Sequence, residues 1–287
     1  MVVMRPDSRL YAVLHELAQQ ARLVFFAGLP GTGKSLMIHQ LAHLAHADGR
    51  TIHLLQWDVA RPVFEASATG RRYPQVDGVT HGVIRMAAGH WARDAVRRWH
   101  KQHPGAAHLL VGETPFIGHR LIELARPTDD DAEALLTHAS TRFVIPVPSH
   151  EVRRHLEVER ERRAARPLHD REKEDAPPQV LLALWRQLVA AGRELGETDN
   201  PPDADSQYDP EVYQRVYRRL LARRRVQVLA LDEILPAAAL SAYTFTVPYT
   251  DLLPDEDEVA RWIRSVEEAY PDLTTLQRAI DRWYVDQ

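Results

Sequence analysis

One stretch of eight residues constrains the fold of this chain more than any other. It reads Gly28-Leu29-Pro30-Gly31-Thr32-Gly33-Lys34-Ser35. An apolar run, 22–27, precedes it, and a pattern typical of a helix, 36–47, follows it. Glycines let the backbone approach a phosphate closely, and successive N–H groups at a helix N-terminus attract anions. The order of strand, glycine-rich loop and helix therefore predicts a phosphate-binding site.

The last two residues of this stretch indicate what is bound. In loops of this pattern the lysine contacts the outer phosphates of a nucleotide, and the serine hydroxyl binds Mg²⁺. Only three of the 36 basic residues are lysine, which argues against the alternative of a glycine-rich turn with a chance lysine. We expect ATP and Mg²⁺ as ligands of residues 28–35, with Lys34 as a catalytic residue and Ser35 as a metal ligand.

Composition argues against several other classes of function. Of the 287 residues, 45% are hydrophobic, which is enough for a buried core, and the net charge of −4 argues against a general nucleic-acid binder. The absence of cysteine excludes disulfides and thiolate catalysis, and the fifteen histidines follow no local metal-binding spacing. The longest apolar stretches are too short to span a membrane, and the first residues lack a signal-peptide core. We expect a cytoplasmic protein without membrane association.

Five apolar segments alternate with helical patterns along the first 235 residues. These segments are 22–27, 51–57, 107–112, 141–147 and 226–231. The alternation predicts an α/β fold with a five-stranded parallel sheet flanked by helices. An extended arm at 242–250 and two helices, 256–269 and 272–285, are predicted to follow. We therefore divide the chain into a core, 1–235, and a helical C-terminal extension, 236–287, which packs over the core or forms a homodimer contact.

Acidic side chains follow three of the predicted strands. Asp58, Glu113 and Asp232 each lie at the carboxyl end of a different strand. Ligands of parallel sheets bind at that edge, so each acid is a candidate for contact with the nucleotide, its metal or a second substrate. Asp232 and Glu233 follow an apolar run, as the acid pairs of ring-forming and transport ATPases do, but they come long after Lys34 in the sequence.

The order of these features resembles the P-loop kinase group, which includes nucleoside-monophosphate, shikimate, gluconate and zeta-toxin kinases. The resemblance covers about residues 20–235, and its specific part is the loop at 28–35. It implies a P-loop NTPase fold and an ATP-dependent phosphotransferase. It also implies an acid after the second strand that orients or deprotonates the acceptor, and an arginine-rich lid after the fourth strand.

Four residues are candidates for substrate or metal contacts, and of these Glu113 departs from the aspartate that is commonest at its position. Asp58 matches the acceptor-site acid, although it can equally cap the next helix. Arg61 is a candidate clamp for an acceptor phosphate or carboxylate, or else a partner in a surface ion pair. Glu113 stands where many P-loop proteins have a magnesium-binding aspartate, and it can also be a solvated acid at a strand end. Arg120 faces either the same crevice or the plain surface.

The lid candidate spans about 149–178 and begins with an arginine-rich helix. Arg160, Arg163 and Arg166 are three residues apart, so neighbours in the series can share a helix face. The resemblance implies that some of these arginines neutralise charge on the transferred phosphoryl group. The alternative is an ordinary solvated helix face, on which Glu159 pairs with Arg163.

The favoured function is a Mg²⁺-dependent kinase that moves the γ-phosphoryl group of ATP to a small-molecule acceptor, with nucleotides and nucleosides among the candidates. The alternative is a regulatory ATP-binding or ATPase module that acts through a protein partner. A third hypothesis, phosphorylation of a nucleic-acid end, rests on Arg71, Arg72 and the lid, and the net acidity weighs against it. The sequence does not identify the acceptor.

Overall fold

The computed structural model describes residues 2–170, 172, 177–199, 207–236, 241–244 and 246–285. Residues 171 and 173–176 of the predicted lid lie outside the described residues. The same holds for 237–240, 245 and 286–287 of the predicted extension.

The described residues form one sheet of six parallel strands, in the order β5-β4-β1-β3-β2-β6. The strands are β1 (Leu23–Ala27), β2 (Thr51–Gln56), β3 (His108–Thr114), β4 (Thr141–Pro148), β5 (Val226–Leu231) and β6 (Tyr249–Asp251). The predicted α/β architecture with a parallel sheet is confirmed, but the predicted number of five strands is wrong. The sixth strand, β6, lies in the segment predicted as an extended arm. It has only three residues and is partly exposed, so no buried alternation marks it in the sequence.

Helices cover both faces of the sheet. They are α1 (Arg9–Gln20), α2 (Lys34–Ala47), α3 (Trp57–Ala66), α4 (Gly82–Gln102), α5 (Glu133–Leu136), α6 (His150–Ala165), α7 (Pro178–Glu194), α8 (Pro210–Leu220), α9 (Glu256–Ala269) and α10 (Leu273–Asp281). Helices α1 and α2 pack on one face, and α3, α4 and α7 to α10 form the core on the other. This layering leaves one edge of the sheet, at the carboxyl ends of the strands, accessible to ligands.

The central strand β1 contributes side chains to the cores on both faces of the sheet. All five of its residues are buried, as expected for a parallel strand covered on both sides. Val24 and Phe26 point to the core formed with α1 and α2, whereas Phe25 stacks on Phe143 in the other core. Because the strand is held on both faces, the loop that follows Ala27 starts from a rigid support.

The C-terminal segment contacts the rest of the chain through β6, α9 and α10. Strand β6 pairs with β2, so that Ile52 lies opposite Tyr249. Helix α9 packs on α4, where the Nε1 of the buried Trp91 donates to Glu258 Oε2 at 3.2 Å. At the start of α4, a Cβ on Gly82 would lie only 3.0 Å from a side-chain carbon of Ile280. The segment is therefore continuous with both the sheet and the hydrophobic core.

Candidate nucleotide-binding site

The glycine-rich stretch forms the loop between β1 and α2. Gly31 and Gly33 have left-handed φ angles of 75° and 81°, which residues with a Cβ rarely adopt. Gly33 is the N-cap of α2, so the first N–H groups of the helix have no partner within the helix. The hydroxyl of the buried Thr32 donates to the carbonyl oxygen of Leu29 at 2.8 Å. The structure thus contains the strand, the P-loop and the helix in the predicted order.

Packing also requires the first glycine of the loop. A Cβ built on Gly28 would lie 2.2 Å from the hydroxyl oxygen of Tyr213. Tyr213 belongs to α8 and is fully buried, so it has little room to move away. Helix α8, which is distant in sequence, therefore packs against the start of the loop.

Lys34 is the first residue of α2, and only 3% of its surface is exposed. Its Nζ donates to the carbonyl oxygen of Leu29 at 2.7 Å and lies 3.2 Å from Glu113 Oε1. Burial lowers the pKa of Lys34, and the charge of Glu113 opposes this shift. The ammonium group is therefore held at the loop by one carbonyl and one carboxylate.

Glu113 owes its position to the register of the sheet. It lies opposite Phe26 on β1 and opposite Gln56 on β2, near the carboxyl ends of all three strands. Its carboxylate reaches Lys34 across the end of β1. Of the three acids expected at this end of the sheet, Asp58 and Glu113 line one cavity, whereas Asp232 does not.

Asp58 is the second residue of α3, and Gln56 is the N-cap of that helix. The interpretation of Asp58 as the capping residue is therefore wrong. The side chain is open to a cavity at the end of the sheet, although protein surrounds it on its other sides. Burial, followed by repulsion from Glu113, raises the pKa of Asp58 to about 6, while Arg61 and other nearby cations oppose the shift.

Two arginines lie beside Asp58. Arg61 lines the cavity, and its Nη1 pairs with Glu65 Oε2 at 2.7 Å, which is the ion pair given as the alternative; its role as a clamp for an acceptor stays a prediction. Arg120 is half-buried and lines the same cavity, and its Nη1 donates to the carbonyl oxygen of Ile117 at 2.8 Å. Both side chains are held by protein contacts while facing the cavity.

The loop that carries Arg120 has an unusual backbone. Phe116, His119 and Leu121 have φ angles of 63°, 64° and 60°, in the left-handed region that side chains other than glycine seldom adopt. Two backbone hydrogen bonds between Phe116 and Arg120, of 2.8 and 3.0 Å, close the turn. Such conformations persist only where the surroundings fix them, and they cluster at functional sites.

The arginines of α6 differ in their positions. Arg160 faces the P-loop, because a Cβ on Gly31 would lie 3.4 Å from its Nη1. Arg163 lines the cavity and pairs with Glu172 at 3.2 Å and with Glu159 at 3.8 Å. Arg166 is exposed at the C-cap of α6 and does not line the cavity. The helix therefore brings two of the three predicted arginines to the site.

One arginine that contacts the loop was not predicted from the sequence. Arg153 is buried, and its Nη1 donates to the carbonyl oxygen of Pro30 at 3.1 Å. The same group would lie 3.3 Å from a Cβ on Gly31. Its spacing could have predicted this position, because Arg153 precedes Arg160 by two helical turns and therefore lies on the same face of the helix.

A cavity of about 510 Å³ joins most of these residues, although Arg153 and Arg166 do not line it. We call the part lined by the P-loop the loop end, and the part lined by Asp58, Arg61 and Arg120 the α3 end. The predicted site residues that line the cavity are Leu29, Pro30, Gly31, Gly33, Lys34, Ser35, Asp58, Arg61, Glu113, Arg120, Arg160 and Arg163. Gly28 and Thr32 belong to the loop but face the protein interior.

Two rival hypotheses rest in part on residues that do not line the cavity. Asp232 follows β5, which β4 separates from β1, and its side chain is exposed and does not line the cavity. Glu233 does line it. Arg72, part of the basic pair considered for nucleic acid, forms an ion pair with Glu267 at 2.7 Å.

The donors near the P-loop fit a magnesium ion. Ser35 is half-buried and lines the same cavity as Glu113, so a hydroxyl and a carboxylate are both available there. Both offer hard oxygen atoms, which Mg²⁺ prefers over nitrogen and sulfur. The cradle formed by Gly31, Arg153 and Arg160 fits an anion, because a side chain at Gly31 would fill it.

Comparisons with known proteins identify no family for this chain. No family model matches it, and no curated protein matches it. Among solved structures, it is similar to Kti12 of Chaetomium thermophilum in complex with ADP-AlF3, with 14% identity, a TM-score of 0.27, and coverage of 86% of this chain and 98% of that one. At this level the similarity carries no functional argument. Within the described ranges, no helix is long and apolar enough to cross a membrane.

Proposed function

We propose that this chain binds ATP together with Mg²⁺ and acts on the γ-phosphoryl group. The observation that carries the proposal is the meeting of Lys34, Glu113 and Asp58 in one cavity at the end of a P-loop. The ammonium of Lys34 and the loop N–H groups would bind the phosphates. Ser35 and Glu113 would hold Mg²⁺, which when bound neutralises charge on the phosphates.

The α3 end of the cavity supports transfer to a small acceptor. A carboxylic acid with a pKa of about 6 exchanges protons efficiently near neutral pH, so Asp58 suits an acceptor hydroxyl. Arg61 and Arg120 supply positive charge beside it, which suits an acceptor that carries a carboxylate or a phosphate. Arg160 and Arg163 would neutralise charge on the transferred group from the side of α6. This combination is the argument for a kinase.

A second candidate is a regulatory ATP-binding or ATPase module that acts through a protein partner. The observation that favours it is the direct contact between α6 and the P-loop through Arg153 and Pro30. A change at the phosphates would be transmitted to α6 through this contact, and α6 would then alter a surface available to a partner.

One assay separates the two candidates. ATP consumption by the purified protein with Mg²⁺ is measured over a panel of nucleosides, nucleotides, sugars and metabolite acids. A kinase gives consumption that depends on one acceptor class and a phosphorylated product of equal amount. A regulatory module gives slow, acceptor-independent hydrolysis and an association state that changes with the nucleotide. Absence of ATP binding by the parent protein would contradict both.

A further inference from the structure

Three histidines meet at the end of the sheet opposite the cavity. His53 is on β2, His108 is the first residue of β3, and His103 is the C-cap of α4. His53 is buried, and the other two are half-buried. One ligand nitrogen from each ring lies within 4.8 Å of the other two. This triad takes no part in the proposed action on ATP.

The spacing of these nitrogens is close to that of a metal site. Nε2 of His53 lies 3.1 Å from Nδ1 of His108. A tetrahedral zinc ion with Zn–N bonds of about 2.0–2.1 Å requires ligand nitrogens about 3.3 Å apart. A hydrogen bond between two neutral rings accounts for the first contact, but it does not account for His103, whose ring centroid lies 4.4 Å from that of His53 and 4.7 Å from that of His108.

The backbone around the triad is held by two arginines. Arg50 donates to the carbonyl oxygen of His108 at 2.8 Å and to those of Ala18, Ala21 and Ala106. Arg22 donates to the carbonyl oxygen of His103. Contacts of this kind fix the ligand-bearing segments before a metal binds. The guanidinium charges oppose a cation, but the hydrogen bonds of Arg50 and Arg22 to the triad segments go to carbonyl oxygens rather than to the three imidazole rings.

We propose that His53, His103 and His108 form a binding site for a borderline divalent transition metal such as Zn²⁺. Imidazole nitrogen suits Zn²⁺, Ni²⁺ and Cu²⁺, and it does not suit Mg²⁺, which prefers oxygen. Three histidines leave one of the four positions of a tetrahedral ion open. Water can reach this position, because two of the rings are half-exposed. The metal would connect the end of α4 to β2 and β3, at the end of the sheet opposite the P-loop.

The test uses untagged full-length protein, stripped of metal and titrated with Zn²⁺ by calorimetry, with the bound zinc also measured after gel filtration. We expect about one equivalent of zinc and an increase in Tm. Bound Co²⁺ should give the absorption spectrum of a tetrahedral nitrogen site. His103→Ala and His108→Gln should each weaken Zn²⁺ binding by at least about tenfold, whereas His138→Gln, at an exposed histidine outside the triad, should not.

Far-UV circular dichroism verifies that each variant is folded, and the two triad variants are independent tests if one of them is not. Stoichiometric zinc binding by both folded triad variants with the affinity of the parent protein would overturn the proposal. Failure of the parent protein to bind zinc would overturn it as well. Lys34→Ala should leave zinc binding unchanged, so this result does not depend on the proposed action on ATP.

Discussion

The loop end of the cavity comes from one contiguous stretch, residues 28–35, whereas the α3 end is assembled from segments after two different strands. At the loop end, backbone N–H groups supply most of the proposed ligand contacts, and glycines are needed where φ is positive. At the α3 end, side chains supply them, and burial, followed by repulsion from Glu113, raises the pKa of Asp58. We therefore expect the loop end to determine whether a nucleotide binds and the α3 end to determine what happens to its phosphate.

The largest effect is expected at the loop end. Lys34→Ala removes the buried ammonium and should reduce ATP turnover by about 10³-fold or more, because the phosphates lose their closest cation. Turnover and ATP affinity are measured together, with Lys101→Ala, an exposed lysine near the end of α4, as the matched control. Equal turnover in Lys34→Ala and Lys101→Ala would show that Lys34 of the P-loop takes no part in the reaction.

Asp58→Asn tests the α3 end. Acceptor-dependent transfer should fall by about 10²-fold, because the amide cannot accept a proton, while ATP affinity should change by less than about twofold. Asp232→Asn is the control, since this acid lies outside the cavity. A parent-like rate for Asp58→Asn, or a larger loss for Asp232→Asn, would contradict the assignment of the acceptor site.

The raised pKa of Asp58 also predicts two pH dependences. Transfer by the parent protein should rise with pH through about 6 as the carboxylate forms, and Asp58→Asn should lack this step.

The stability of the parent protein should change with pH in the opposite direction. The fold disfavours the ionised form of Asp58, so its contribution to stability falls as the pH rises from 3.8, the ordinary pKa of this carboxyl group, to about 6. The Tm of Asp58→Asn should therefore exceed that of the parent by about 2 °C above pH 6 and match it below pH 4.

The two ends also differ in how well the sequence predicts them. The loop end was predicted residue by residue, since its eight positions are adjacent and follow a known backbone pattern. The meeting of Asp58 and Glu113 followed from the rule that parallel strands end at one edge. Arg153 was missed because its contact with Pro30 depends on how α6 packs on the loop, which no local pattern encodes. The three-histidine cluster was missed for the same reason, since its members lie on separate elements.

Gly28→Ala tests whether α8 supports the loop end. The new methyl group would collide with the hydroxyl of Tyr213, and we expect a loss of about 2 kcal/mol in stability with weaker ATP binding. Tyr213→Phe removes that oxygen and leaves a ring carbon at 3.5 Å, an ordinary contact, and the hydroxyl oxygen of Thr32 at 3.1 Å, a tighter one. The double variant Gly28→Ala/Tyr213→Phe should therefore recover most of the stability in urea unfolding. If the stability losses of the single variants Gly28→Ala and Tyr213→Phe simply add in the double variant, the collision between the loop and α8 is not the cause of the loss in Gly28→Ala.

The smallest effects separate the arginines of α6. Arg160→Ala should reduce turnover by about tenfold, because its side chain faces the cradle at Gly31 that we propose for a phosphate. Arg166→Ala should leave turnover within about twofold of the parent, because this arginine is exposed and lies beyond the end of the helix. The two variants remove the same charge from one segment, so a difference between their rates reflects position rather than net charge. Equal losses would instead indicate that α6 acts through its overall positive potential, or that it moves far enough on nucleotide binding to bring Arg166 over the P-loop.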